Sequence, residues 1–425
     1  MGGSLIVTGG RPLCGRARVP AAKNSVLPLL AAALLCEGPV CLRGVPRLSD
    51  VEACLTLLRG VGCAAVWQGE DLVIRGGPCR CALPKGPAAK MRASILFCAP
   101  LLARMGRAET VLPGGCRIGA RPIDLHLEGL AQMGAIRQTS PPEQLVLAAP
   151  AGLHGASIRL RFSSVGATET LLLAAVCARG DTVLQNPAQE PEIVDLAAFL
   201  NRCGACIQGA GGPVIRVKGR RMLGACSFAP MPDRIYASTL ACAAAAAGGQ
   251  VEVQGCPAGF YAPVLEVLEQ MGCRVERTAQ GAAVSRFGKL RGVGRVCTGV
   301  YPGLATDAAP LLAAPLLTAT GPSCIQDRIF EDRFACAEGF ARMGAQVSRQ
   351  GRELQIRPGG RLQGAQLDAP DLRGGAALVL AALAAQGPSC IRGMEYLDRG
   401  YADLSDALTG LGAQVHRRSG TDLLQ

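Results

Sequence analysis

The sequence predicts a mixed α/β protein assembled from six copies of one unit, each running strand–helix–strand–helix–strand–strand. Two recurring phrases and the chain length predict it. In one phrase a leucine-bearing helical pattern stops at a glycine and turns into alternating apolar residues. That glycine falls at 62, 134, 204, 272, 344 and 412, at spacings of 72, 70, 68, 72 and 68 residues. The other phrase is a helix of small apolar residues that ends in glycine and leads into a strand, as in 28–38 before 40–42 and 171–180 before 182–184. At 425 residues the chain has room for two or three domains of roughly 100–200 residues each.

Taken in order, Leu5-Ile6-Val7 reads as a short first strand. The Ala/Leu run 28–38 reads as a helix, and 40–42 as the strand after it. The next helix ends at Gly62, because glycine takes positive φ without a Cβ penalty and lets the chain reverse. Two short strands follow around a polar turn, 64–67 and 72–74. The same succession returns with the small-residue helices 239–248 and 378–387, and with the paired strands 346–349 and 354–356. Three stretches, 235–251, 308–326 and 374–391, lack charge for long enough to test as membrane spans. The first is mostly Ala, Pro310, Pro315 and Pro322 interrupt the second, and Gln386-Gly387-Pro388 breaks the third. Ala and Gly contribute little transfer free energy, so buried helices of a globular protein are expected. Six half-buried units must pack on one another to hide such helices. A solenoid would do so too, but about 70 residues is long for a solenoid repeat.

Composition narrows the function. Apolar residues at 49% and charged residues at 18% exclude a disordered chain, and aromatics at 4% leave the core to Ala, Leu, Val and Ile. A net charge of +12 points to anionic partners. Against a nucleic-acid binder, aromatics are sparse and no run of five basic residues occurs. With only His126, His154 and His416, zinc sites and a Ser-His-Asp triad are not expected, and no metal or cofactor is called for. The 20 cysteines are scattered through apolar runs, as at Cys98, Cys177 and Cys242, where a free thiol packs as a small hydrophobe. Cys203-Gly204-Ala205-Cys206 has no second pair to complete a zinc site, and it falls on the recurring glycine, so two buried thiols are expected. With no secretory signal at the start, a reducing cytoplasm is the expected compartment.

Several segments combine into a recognisable set: Ala22-Lys23-Asn24-Ser25, Lys90-Met91-Arg92, Pro113-Gly114-Gly115-Cys116-Arg117-Ile118-Gly119-Ala120-Arg121-Pro122-Ile123-Asp124-Leu125-His126, Ser164-Val165-Gly166-Ala167-Thr168 and Glu190-Pro191-Glu192. Pro232-Asp233-Arg234, Thr306-Asp307, Phe330-Glu331-Asp332-Arg333, Asp371-Leu372-Arg373 and Asp398-Arg399-Gly400-Tyr401 complete it. In order and along nearly the whole chain, they closely resemble the enolpyruvyl transferase family, and within it the UDP-N-acetylglucosamine 1-carboxyvinyltransferases. The resemblance implies a two-domain inside-out α/β barrel with three units per domain and the active site in the cleft between domains. Residues 1–22 with 233–425 would form one domain, and 23–232 the other, which carries the Cys116 loop. The implied partners are phosphoenolpyruvate and UDP-N-acetylglucosamine, with no nucleic acid and no membrane, in a monomer or weak oligomer.

Both substrates are polyanions, so the site must gather positive charge in a partly dry cleft. The resemblance assigns phosphoenolpyruvate to Lys23, Asn24, Arg92, Arg121, Arg333, Arg373 and Arg399. Any one Arg alone reads first as a solvated surface charge, but planar guanidinium forks from separate units suit carboxylate and phosphate oxygens. For UDP-N-acetylglucosamine it implies Asn24, Arg92, Arg121, Pro122, Ile123, Asp124, Leu125, Ser164, Val165, Gly166, Asp307 and Ile329. Cys116 lies in a polar Gly-rich loop beside Arg117 and Arg121, whose charges lower a thiol pKa. By resemblance it is the general acid that protonates the methylene carbon, the site of a covalent adduct and the target of fosfomycin. Asp307 is the matched proton acceptor for the sugar hydroxyl, although by itself it reads as a helix N-cap. Lys23 and Arg399 join the catalytic set, and Asp371 either assists proton transfer or only orients Arg373 or Arg399. Leu96, Phe162, Tyr236, Ala21 and Ala308-Ala309-Pro310 depart from the pattern. A shikimate-pathway transferase lacks the Pro-Gly-Gly-Cys loop. A weak paralogue that binds UDP-sugar as a regulator would bind the nucleotide without releasing phosphate.

Overall fold

The structure, a computed structural model, describes residues 3–114, 118–119, 121–220 and 222–418. The recurring glycine is the clearest local determinant. At Gly62, Gly134, Gly204, Gly272, Gly344 and Gly412, φ lies between +91° and +107°. In every copy the next residue's N–H donates to the carbonyl five positions back, from Cys63 to Leu58 through to Ala413 to Leu408, always at 3.0 Å. This is the Schellman closure, in which a left-handed residue satisfies carbonyls that a helix end leaves unpaired.

Each copy then contributes to one small sheet. Among the described residues five sheets have four strands and one has three, and none closes on itself. The order is the same throughout: an outer parallel strand, two central strands and an antiparallel edge, as in Ser157–Arg159, Asp181–Gln185, Val214–Lys218 and Cys206–Gln208. In the three-stranded sheet, a bridge from Ala82 to Glu109 occupies the parallel position. The expected strand–helix–strand–helix–strand–strand unit is therefore present six times.

The chain divides into two compact units. One holds residues from Ala21 to Met231, apart from Ile118 and Gly119. The other holds the chain up to Pro20 and from Pro232 onward, together with Ile118 and Gly119. In the first unit, strand Cys226–Phe228 pairs in parallel with Val40–Leu42, so its end completes the sheet of its beginning. In the second, Leu13–Arg18 supplies the parallel strand beside Gly249–Gln254. Ser4–Thr8 lies antiparallel between Pro388–Arg392 and Gln414–Arg418.

Helices occupy the middle of each unit. In the second, Arg234–Ala247, Ala309–Leu316 and Leu372–Ala384 pack on one another and are buried along almost their whole length. These are the three uncharged stretches, and among the described residues no helix is long and apolar enough to cross a membrane. In the first unit the equivalents are Lys23–Ala32, Cys98–Met105 with the 3-10 turn Arg92–Phe97 before it, and Val165–Ala175. The first of these starts at Lys23 rather than 28 and carries Pro28 as an internal residue, past the helix start whose N–H groups have no intrahelical partner, so the Asn24 carbonyl receives no i→i−4 bond from it. Small residues permit the close packing. A Cβ on Gly129 would stand 2.5 Å from the Leu171 side chain, and one on Gly339 would stand 2.5 Å from that of Leu378.

Candidate active site

Several of the predicted site residues share one position in the repeat, the start of the central helix, whereas Ile329, Arg333, Arg399 and the 121–125 segment lie elsewhere. Lys23 and Asn24 open Lys23–Ala32, Arg92 opens its 3-10 turn, and Ser164 caps Val165–Ala175 by accepting from the Ala167 N–H at 3.4 Å. In the second unit Asp233 caps Arg234–Ala247, the turn Thr306–Ala308 precedes Ala309–Leu316, and Asp371 caps Leu372–Ala384. Helix starts present N–H groups and positive dipole ends, which suit anions.

In the second unit these starts build one ionic knot. Asp307 accepts from Arg333 Nη2 at 2.9 Å and from Arg373 Nε at 3.1 Å, and Arg373 Nη2 forms an ion pair with it at 3.1 Å. Both arginines are 3% exposed. Arg333 Nε also donates to the Thr306 hydroxyl at 2.9 Å, and that hydroxyl bonds Asp327. Asp327 in turn accepts the N–H groups of Ile329 and Phe330, each at 2.7 Å, which fixes Ile329 on the turn beside Arg333. Arg373 lies 5.2 Å from the Tyr401 ring centre, and the Tyr401 hydroxyl is 2.9 Å from that of Thr239. Burial raises the Asp307 pKa, but Arg373 and then Arg333 outweigh it and hold the carboxyl well below the usual range. Burial lowers that of Arg373, yet Tyr401 and Asp307 leave it above its ordinary value.

Asp371 uses one carboxylate oxygen to cap the helix, accepting from the N–H groups of Arg373 at 2.9 Å and Gly374 at 3.0 Å. Its other oxygen and the Nη1 of Arg373 are buried without a hydrogen-bond partner among the described residues. Such atoms are costly unless something else completes them. Arg399 lies half-buried in the turn after Met394–Leu397.

The first unit makes a second cluster. Lys23 Nζ is 2.6 Å from Asp50, with both side chains nearly buried. Asn24 is exposed beside it. Arg92 Nη2 donates to the Pro122 carbonyl at 2.8 Å, tying the 3-10 turn to the 121–125 segment. Burial and then the neighbouring Arg121 lower the Arg92 pKa to about 10. His126 is 4% exposed, and its Nδ1 lies 2.8 Å from the Thr170 hydroxyl. Burial and then Arg92 bring it down to about 4, so the ring is neutral near pH 7. A Cβ on Gly166 would lie 3.1 Å from the same ring. The His126 ring thus touches the Ser164–Gly166 turn and sits within the field of Arg92, Arg121 and Asp124. Pro122 is exposed, Ile123 and Leu125 are half-buried, and Arg161 clamps Asp124 and Glu128.

Cys116 and its neighbour Arg117 lie outside the described residues. Sequence reasoning gave no role to Asp50, Thr306, Asp327, Tyr401 or the His126 ring. Thr306, Tyr401 and His126 stand inside matched segments without an assigned role, and Asp50 and Asp327 carry no signal in the sequence, because each acts through a contact made in the fold. Tyr236, one of the departures, packs against Tyr401 with ring centres 5.9 Å apart, behind Arg373. Cys206 is half-buried rather than buried, because it falls on an edge strand.

Residues 7–408 match the sequence model of the EPSP synthase (3-phosphoshikimate 1-carboxyvinyltransferase) family. The chain is 43% identical over 416 residues to the UDP-N-acetylglucosamine 1-carboxyvinyltransferase of Nitratidesulfovibrio vulgaris strain Hildenborough, covering 98% of this chain and 99% of that one. It is 40% identical over 413 residues to the protein of the same name from Lawsonia intracellularis, covering 97% and 99%. Among solved structures, the enolpyruvyl transferase NikO from Streptomyces tendae superposes with a TM-score of 0.87 at 26% identity, over 98% of this chain and 99% of that one. EPSP synthase from Acinetobacter baumannii, at a TM-score of 0.72 and 20% identity over 98% and 100%, shares the fold.

Proposed function

The chain belongs to the enolpyruvyl transferase family, and from that premise we propose that it moves the enolpyruvyl group of phosphoenolpyruvate onto the 3-hydroxyl of UDP-N-acetylglucosamine, releasing inorganic phosphate. This is the first committed step of peptidoglycan synthesis. The observation that carries the reading is 43% identity across 98% of the chain to a relative of that name. The ionic knot supports the chemistry. In our reading Asp307 takes the proton of the sugar hydroxyl as its oxygen bonds C2 of phosphoenolpyruvate. C3 gains a proton from Cys116, and loss of one C3 proton together with phosphate from C2 restores the double bond. Arg333 and Arg373 keep Asp307 ionised but make it a weak base. A substrate phosphate or carboxylate competes for the same forks, and each fork it engages lets Asp307 rise toward the ordinary carboxylate range.

Lys23, Arg92, Arg121 and Arg399 would share the anionic charge. Asn24, the 122–125 segment, Ser164–Gly166 and Ile329 would receive the nucleotide sugar. Asp371, fixed as a cap, would use its second oxygen to relay a proton or steady a neighbouring Arg. We place the reaction in the cytoplasm, in a monomer or weak oligomer without a cofactor.

The test follows phosphate release and product mass with both substrates. Wild type is expected to form enolpyruvyl-UDP-N-acetylglucosamine. Asp307→Asn should lose about 10²–10⁴-fold in kcat, as removal of a general base does. Fosfomycin should inactivate wild type and add no mass to Cys116→Ser. Binding of UDP-N-acetylglucosamine without any phosphate release would overturn the reading in favour of a silent regulator.

A further inference from the structure

We propose that Cys203 and Cys226 form a dithiol site that closes to a disulfide in the folded chain when a small-molecule disulfide is supplied. Their sulfurs stand 3.0 Å apart, so a bond of about 2.05 Å needs only small side-chain adjustments. The backbones are already pinned together, because the Gly224 N–H donates to the Cys203 carbonyl at 2.7 Å. A third thiol adjoins them. Cys36 bridges in parallel to Leu223, and the Glu37 N–H donates to the Leu223 carbonyl at 2.9 Å.

The motif in the sequence pairs Cys203 with Cys206, but the fold separates their roles. Cys206 sits on strand Cys206–Gln208 opposite Lys218, whereas Cys203 ends the helix Pro191–Arg202 and faces the first residue of strand Cys226–Phe228. Among the described residues no group of three His, Cys, Asp or Glu side chains is arranged to hold a metal ion. Cys226 is half-buried and Cys203 is buried, which orders the chemistry.

Cys226 attacks one sulfur of the small disulfide and releases one small thiol. Cys203 then attacks the Cys226 sulfur and releases the second. Two protein S–H bonds are lost, one protein S–S bond forms, and the reagent is reduced to two thiols. The new bond would staple the end of a helix to the strand that closes its unit against Val40–Leu42, across 23 residues of chain. It uses no residue of the proposed reaction.

The experiment treats the full-length protein with oxidised glutathione, blocks remaining thiols, digests it without reduction and maps linked peptides. Thermal unfolding is measured in parallel. A Cys203–Cys226 linked peptide and a rise in Tm of about 5 °C are expected, both reversed by dithiothreitol. Cys226→Ser should abolish both, and Cys206→Ser should keep both. Should Cys203→Ser fold poorly, Cys226→Ser still decides the matter, since its side chain is half-buried. Absence of that linked peptide in wild type, or a Tm rise that survives Cys226→Ser, would overturn the proposal.

Discussion

At the scale of single residues, charge and burial around His126 give the sharpest consequences. Its folded pKa of about 4 lies below an unfolded value of about 6.5. The unfolded chain therefore binds the extra proton first. The stability that His126 contributes is complete above about pH 6.5 and falls away as pH drops toward 4, by about 3 kcal/mol in all. Wild type should thus lose more stability across this window than His126→Gln, and chemical denaturation at pH 7 and pH 4.5 measures the difference. Parallel losses in the two proteins would contradict the assignment. Asp307 has the same sign, because its folded pKa is depressed, but its contribution is lost only at lower pH. Gly166 belongs to the same contact. A methyl group there would meet the His126 ring at 3.1 Å, so Gly166→Ala should push the ring or the turn aside. The expected outcome is a loss of about 1 kcal/mol with weaker binding of UDP-N-acetylglucosamine, read by calorimetry. Unchanged affinity would separate this turn from the nucleotide.

At the scale of elements, the repeat was legible because its determinant is local. A glycine that must take positive φ leaves its mark in the sequence wherever the unit recurs, and all six such positions are left-handed. The central helices were legible for a similar reason: Ala and Leu without charge can only be buried. The start of the first one was not, because the internal Pro28 looked like a boundary. The site divides in the same way. Lys23, Arg92, Asp307, Arg333 and Arg373 were readable only as members of matched segments. Asp50 and Asp327 were not readable at all, since the partner of a buried charge is chosen by tertiary contact. The glycine position is testable by itself. A Cβ on Gly412 would meet nothing within 4 Å, so Gly412→Ala isolates the cost of positive φ, about 1 kcal/mol. At Gly62 the Cys79 sulfur stands 2.2 Å from the new methyl, so Gly62→Ala must pay more. Denaturant midpoints for the two variants give the order, and a smaller loss at Gly62 would refute the shared role.

For the whole molecule, the decisive feature is how chain ends complete sheets begun elsewhere. Ser4–Thr8 is a central strand, bonded on one side to Pro388–Arg392 and on the other to Gln414–Arg418. Its inward residues Leu5 and Val7 are fully buried in the same core as the three central helices of that unit. Removing it would leave two strands with unpaired edges and open the core over Leu367, Ile391 and Val415. Unpaired backbone in such a place is costly, and the lost apolar contacts add to it. Deletion of residues 1–8 should therefore unfold the unit formed by the chain ends, far beyond the mild effect usual for a trimmed terminus. The unit from Ala21 to Met231 takes no strand from this segment and should keep its own sheets. Limited proteolysis followed by peptide mapping distinguishes the two. Early cuts confined to sequences beyond Pro232, with the 21–231 region protected, are the expected pattern. Uniform resistance across the chain would mean that the first strand is dispensable.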